Sequence, residues 1–196
     1  GCALLAYYEN SDRKIGQTTQ KGSFLGPKFS NEEIHNVLKV FSIKYEKYQE
    51  NEKLYNRISD YLIDEKIIGI FQGRMEFGPR ALGARSIIGD PRSTKMQKTM
   101  NLKIKYRESF RPFAPAILEG FVEEFFANNI ESPFMSFIHK IKHDKRHKLE
   151  DLNNSKSLMD RLHQSRSSVP AITHVDYSAR LQTVNKNDNP FFYNLI

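Results

Sequence analysis

The chain has 196 residues, 39% of them hydrophobic, which is enough to bury a core and excludes a disordered composition. The only cysteine, Cys2, excludes an intramolecular disulfide and a cysteine-rich zinc site. No apolar run reaches the roughly 18 residues of a membrane span and no signal pattern opens the chain, so a soluble, cytoplasmic protein is expected, with a net charge of +7.

In chain order, residues 1–8 put Ala3, Leu4, Ala6 and Tyr7 on one helical face and predict the start of a buried helix. Residues 9–29, with Gly16, Gly22, Gly26 and Pro27, read as loop. Ser30 followed by Glu33 is a capping box ahead of Ile34, Val37, Leu38 and Phe41, so a helix is predicted there. The charged run YEKYQENEK reads as a linker to a second helix over 52–65, buried through Leu54, Ile58, Tyr61 and Leu62.

Residues 67–71 form a short β-rich run ending at Gly73, and 74–84 read as a tight loop leading to a helical turn. Strands are predicted at 86–88, 113–118, 134–141, 171–175 and 179–184, with helices over 94–104 and 121–127. Interleaved strands and helices predict an α/β (α+β) fold, a twisted mixed sheet with flanking helices, from about residue 60 onward. Most of the fourteen Phe and nine Tyr are expected in its core.

Charge is concentrated. Residues 74–111 hold ten Lys/Arg against three Asp/Glu, a surplus of seven, while the remaining residues hold 20 of each and cancel. Diffuse lysine acts mainly on solubility, whereas arginines held by Gly and Pro turns converge on a small anion, so a phosphate-bearing ligand is expected. In Phe77-Gly78-Pro79-Arg80, the glycine and proline fix the backbone before an arginine that can fork onto phosphate or carbamoyl oxygens.

Lys105, Arg107 and Arg111 form a second cationic cluster, with Glu108 placed to pair with one of them. The plainer alternative is that arginines bridge to Glu76, Asp90 or Glu108 and clamp the sheet, which applies most to Arg74, Arg85 and Arg92. Nearer the end, His174, Asp176, Ser178 and Arg180 surround a predicted strand junction, where Asp176 and Ser178 alternatively make a side-chain-capped turn.

The basic stretch 140–148 reads as a solvated hairpin end or loop, with nucleic-acid contact as its alternative. His139, His143 and His147 lie four apart, which would align metal ligands only on a helix. The segment begins as a strand and lacks a companion carboxylate, so no metal site is assigned.

Three motifs carry a resemblance. They are Gln72-Gly73-Arg74-Met75-Glu76-Phe77-Gly78-Pro79-Arg80-Ala81-Leu82-Gly83, then Lys105-Tyr106-Arg107-Glu108 with Phe110-Arg111-Pro112-Phe113-Ala114-Pro115, then Thr173-His174-Val175-Asp176 with Ser178-Ala179-Arg180 and Gln182-Thr183-Val184. In this order they closely resemble the O-carbamoyltransferases of antibiotic and nodulation-factor biosynthesis. The resemblance implies a C-terminal domain similar to threonylcarbamoyl-adenylate synthase, which makes carbamoyl-adenylate from carbamoyl phosphate and ATP. An N-terminal actin-like domain, holding iron or another divalent metal, would pass the carbamoyl group to a hydroxyl of a sugar or related acceptor.

The resemblance makes residues 1–50 a remnant of that N-terminal domain plus linker and 51–196 the C-terminal domain, truncated at its end. It gives Arg80, Lys105 and Arg111 catalytic roles, and joins Arg107 and Arg180 to them in binding carbamoyl phosphate and ATP, with magnesium assisting. Two other classes compete, a basic nucleic-acid-binding module and a non-catalytic scaffold domain. The arginines sit in Gly/Pro frames rather than along a stripe with interleaved aromatics, which speaks against nucleic acid.

Overall fold

The structure is a computed structural model, and it describes residues 2–12, 22–149, 157, 162 and 164–196. Helix α1 (Cys2–Glu9) forms where helical spacing predicts it, but none of its residues is buried, and Leu4 and Leu5 are about three-fifths exposed. Periodicity decides which side chains share a face, and burial requires a second surface that the described chain does not bring to this one. Helix α2 (Asn31–Val40) starts at the predicted capping box: Ser30 Oγ accepts the Glu33 N–H at 3.2 Å, and Glu33 Oε2 accepts the Ser30 N–H at 2.7 Å.

Helix α3 (Asn51–Ile63) half-buries Leu54, Ile58 and Leu62 as expected, whereas Tyr61 turns outward beneath the Arg57 guanidinium. It leads into β1 (Ile68–Phe71), which pairs antiparallel with β2 (Arg85–Ile88) in the register Ile68–Ile88 to Phe71–Arg85. The residues between these strands contain no helical turn, contrary to expectation. Their amides are committed to a buried carboxylate instead of to an i→i+4 ladder, as described below.

Helix α4 (Met96–Lys103) follows, then β3 (Ala116–Leu118), a 3₁₀ turn at Glu119–Phe121 and helix α5 (Val122–Phe125). The strand predicted over 134–141 is reduced to β4 (His139–Lys140), which pairs antiparallel with β5 (Ser178–Ala179). The strand predicted over 171–175 is absent. Pro170 occupies the first position of a 3₁₀ turn, Pro170–Ile172, where its fixed φ suits helical rather than extended backbone.

The strand predicted over 179–184 is split, because Ala179 pairs with β4 while β6 (Gln182–Val184) pairs in parallel with β3. The chain changes partners at Arg180-Leu181. Helix α6 (Pro190–Leu195) closes the described chain. The fold class is α/β, and among the described residues the strands form three two-stranded ladders, one parallel and two antiparallel.

Two larger clusters form the core. One gathers Val122, Phe126, Ile141, Val169, Ile172 and Leu181 around α5 and β4, and the other joins Ile70, Val184, Phe192 and Leu195 between α3, β1 and α6. Phe126 and Phe192 are the buried phenylalanines, so most rings lie outside the core, against expectation. Several of them carry cations on their faces, as Phe71 does for Arg85. No described helix is long and apolar enough to cross a membrane.

Candidate anion-binding site

The loop between β1 and β2 carries the first arginine motif, and one buried acid organises it. Glu76 Oε1 accepts amide hydrogens from Leu82 and Ala84, each at 2.7 Å, and from Arg85 at 3.1 Å. Burial alone pushes the Glu76 carboxyl up, but the amides outweigh it and hold the group below the ordinary carboxylate range. Gln72 Nε2 bridges Gly83 O at 2.8 Å and Asn189 Oδ1 at 3.0 Å, and Gln182 Nε2 donates to Leu82 O at 2.9 Å.

From the other side, Gly26 N–H donates to Met75 O at 2.9 Å and Met75 N–H to Pro27 O at 3.0 Å. The loop is therefore bonded along both flanks. Arg80 stands at its tip, exposed and without an ion pair or hydrogen bond among the described residues.

The neighbouring arginines divide differently from expectation. Glu76 pairs with none of them, because backbone amides fill it. Arg85 clamps carbonyls, its Nη1 on Gln72 O at 2.8 Å and Ala84 O at 3.0 Å, with its guanidinium 3.6 Å above the Phe71 ring. Arg74 reaches Gly26 O at 3.1 Å, and only Arg92 makes the anticipated acid bridge, to Asp90 at 2.6 Å. All three cations have partners among the described residues.

The second cluster hangs on Asn101, which is fully buried in α4. Its Nδ2 donates to Ser109 O at 3.1 Å and Arg111 O at 2.7 Å, and its Oδ1 accepts Arg107 Nε at 2.6 Å. One amide thus fixes the backbone of Arg111 and the side chain of Arg107. Arg107 lies over Phe113, its pKa lowered by burial and then by the nearby charge of Arg111. Arg111 pairs with Glu108 at 3.2 Å, as the spacing suggests, while Lys105 is exposed and its side chain has no partner among the described residues.

Arg180 projects outward between buried Ala179 and Leu181, where its side chain likewise meets no described partner. Its segment and that of Arg80 are tied by the Gln182 to Leu82 bond. Asp176 makes the side-chain-capped turn, Oδ1 accepting the Ser178 N–H at 3.0 Å, and it also holds Lys140 Nζ at 2.8 Å.

A cleft of about 330 Å³ opens beside this turn, lined by Arg111, Arg166, His174, Thr94, Gln97 and Ser165 among others. Of the five cations expected to bind substrate, Arg111 lines it and Arg107 lies near Arg111, whereas Arg80, Lys105 and Arg180 do not line it. Arg166 and Gln97 went unnoticed in the sequence, because each sits in an ordinary polar stretch. Nothing local marked them.

The basic stretch 140–148 is occupied structurally. Lys140 holds Asp176, Lys145 lies over Phe125, and Arg146 Nε donates to Ile141 O at 2.9 Å and covers Tyr177. His139 is fully buried with Nε2 at 3.0 Å from Ile130 O, and His147 Nδ1 lies 3.2 Å from Ser165 Oγ, so the three histidines do not align. No group of three His, Cys, Asp or Glu able to hold a metal ion exists among the described residues.

Fold and site together define an α/β domain in which Arg80, Lys105 and Arg180 stand exposed on bonded backbone. Comparison with known proteins makes the class specific: the sequence profile of the family described as "Carbamoyltransferase C-terminus" matches residues 59–196. The chain belongs to this family. It is 46% identical over its whole length to an uncharacterised protein of Synechocystis and 36% identical over its whole length to nodulation protein NolO of Bradyrhizobium diazoefficiens. It is also 36% identical, over 67% of its length, to nodulation protein U of Sinorhizobium fredii. The matched regions are 32%, 33% and 20% of those proteins, so the chain spans about a third or less of the relatives it matches.

Proposed function

We propose that this chain is the part of an O-carbamoyltransferase that forms carbamoyl-adenylate from carbamoyl phosphate and ATP, for transfer to a hydroxyl of a sugar or secondary metabolite. The observation that carries the proposal is the exposure of Arg80, Lys105 and Arg180, without partners among the described residues, on backbone that is itself tightly bonded. A cation held this way stabilises developing negative charge without first rearranging. Membership of the carbamoyltransferase C-terminal family supports the reaction class.

The atoms balance in two steps. Carbamoyl phosphate and water give phosphate and carbamate, and a carbamate oxygen then attacks the α-phosphorus of ATP and expels pyrophosphate. Both steps build charge on nonbridging phosphoryl oxygens, and Arg80, Lys105, Arg107, Arg111 and Arg180 are assigned to hold them. The acceptor hydroxyl finally displaces AMP, a step assigned to the rest of the protein.

Magnesium is proposed to assist by neutralising the ATP phosphates, an ion that needs only one or two protein carboxylates beside those phosphates. Residues 1–50 are assigned to the end of an actin-like domain and its linker, 51–196 to the adenylate-forming domain, and the protein to the cytoplasm. The test gives the full-length protein ATP and measures pyrophosphate release with and without carbamoyl phosphate. Release that depends on carbamoyl phosphate is expected; equal release without it rejects the proposal.

A further inference from the structure

The cleft is lined by a histidine, His174, that the reaction above leaves unused and that Asp176 holds from beside it. His174 Nδ1 lies 3.0 Å from Asp176 Oδ1, and the same carboxylate takes Lys140 Nζ at 2.8 Å, Ser178 Oγ at 2.6 Å and the Ser178 N–H at 3.0 Å. Lys140 first, then Ser178 and His174, hold the Asp176 carboxyl far below the ordinary range. An ionised carboxylate at Nδ1 fixes the proton there and leaves the lone pair of a neutral ring on Nε2.

The turn also fixes the backbone of the histidine. His174 N–H donates to Ser178 O and Tyr177 N–H donates to His174 O, each at 2.9 Å, with Tyr177 held at a φ of +60°. His174 lines the cleft of about 330 Å³ together with Arg111 and Arg166. A histidine oriented by a carboxylate, on a cleft that two arginines also line, is the arrangement of a general base.

We infer that His174, oriented by Asp176, takes a proton from the water that hydrolyses carbamoyl phosphate. The inference rests on the proposal that carbamoyl phosphate and ATP are the substrates. The water oxygen bonds to phosphorus as the bond from phosphorus to the carbamoyl oxygen breaks, and the electron pair of that bond leaves with carbamate. The water proton passes to Nε2 and then to the departing products. Arg111, in the same cleft, offsets charge on the phosphoryl oxygens.

The test uses the full-length protein, ATP, and two measurements: phosphate release from carbamoyl phosphate, and pyrophosphate release when ammonium carbamate replaces it. Carbamate bypasses the hydrolysis. His174→Ala is expected to lower phosphate release about 10²- to 10⁴-fold and carbamate-driven pyrophosphate release far less. Added imidazole restores part of the phosphate release, a rescue that a merely structural histidine would not show. Asp176→Asn, which disturbs the Nδ1 tautomer, also lowers phosphate release but gains nothing from imidazole.

Undiminished phosphate release by His174→Ala, equal loss of both measurements without rescue, or a wild-type protein that releases no phosphate overturns the inference. A wild-type protein that releases phosphate but never pyrophosphate overturns the adenylate proposal instead, and leaves the role of His174 decided by its own variants.

Discussion

Glu76 Oε1 accepts the Leu82 N–H at 2.7 Å from a side chain only 7% exposed, and the same oxygen takes the Ala84 amide at 2.7 Å. The arginine loop is thus closed on an acid of its own and does not need a bound anion to hold its shape. Removing the charge while keeping an acceptor weakens every one of these bonds. Glu76→Gln is expected to cost about 1.5–3 kcal/mol of stability, read as a lower urea midpoint.

The same carboxylate sets a pH dependence. Because its pKa is lower folded than unfolded, from an ordinary value of 4.5, the unfolded chain binds the proton more readily. The contribution of Glu76 is fully present above about pH 5 and is lost as pH falls through its folded pKa. Asp176, lowered chiefly by Lys140, acts in the same direction. Urea midpoints measured between pH 7 and pH 3 should therefore fall on the acid side, and Glu76→Gln should flatten part of that fall.

Arg80 and Arg85 lie five residues apart and should separate cleanly. Arg85→Ala removes bonds to the carbonyls of Gln72 and Ala84 and the contact with Phe71, and should cost about 2 kcal/mol of stability. Arg80→Ala removes no described contact, so its melting temperature should stay close to the wild-type value. Its carbamoyl-phosphate-dependent pyrophosphate release in the full-length protein should fall about 10²- to 10³-fold. Unchanged release would remove Arg80 from the site.

Asn101→Ala leaves the carbonyls of Ser109 and Arg111 and the Arg107 guanidinium without their shared partner. The expected loss is about 2–3 kcal/mol, with weaker binding of carbamoyl phosphate than Arg80→Ala produces, since two cations lose their position at once. Calorimetric titration of the full-length variants compares the two.

Gly83 has a φ of +102°, and an added Cβ there would run into the Phe192 ring. Gly83→Ala combines backbone strain of about 1–3 kcal/mol with overpacking of similar size, so a reduced melting temperature is expected. Phe192→Leu in the same chain relieves the clash but not the strain, and should recover only part of the loss.

Much of the fold was legible where a local signal is strong. Ser30 and Glu33 marked the start of α2, and β-branched runs marked β1 and β2, because capping and strand preference act between near neighbours. The stretches 134–141 and 171–175 misled, since an extended composition becomes strand only when another strand meets it, and Pro170 set a 3₁₀ turn first. At the site, the arginine motifs were legible as chemistry, but not the division among them. Whether Arg85 grips carbonyls or Arg80 stands open depends on residues such as Pro27 and Asn189, far away in the chain.

The sequence by itself determined where the charge lies, which turns frame it and the family to which the chain belongs, because each depends on residue type and spacing alone. Only the tertiary structure decided which cations remain available. A buried acid must be satisfied by whatever donors folding brings to it, and here Glu76 received backbone amides, which left Arg80 unpaired. It also placed His174 on a cleft with Arg111, two residues 63 positions apart whose meeting no local pattern encodes.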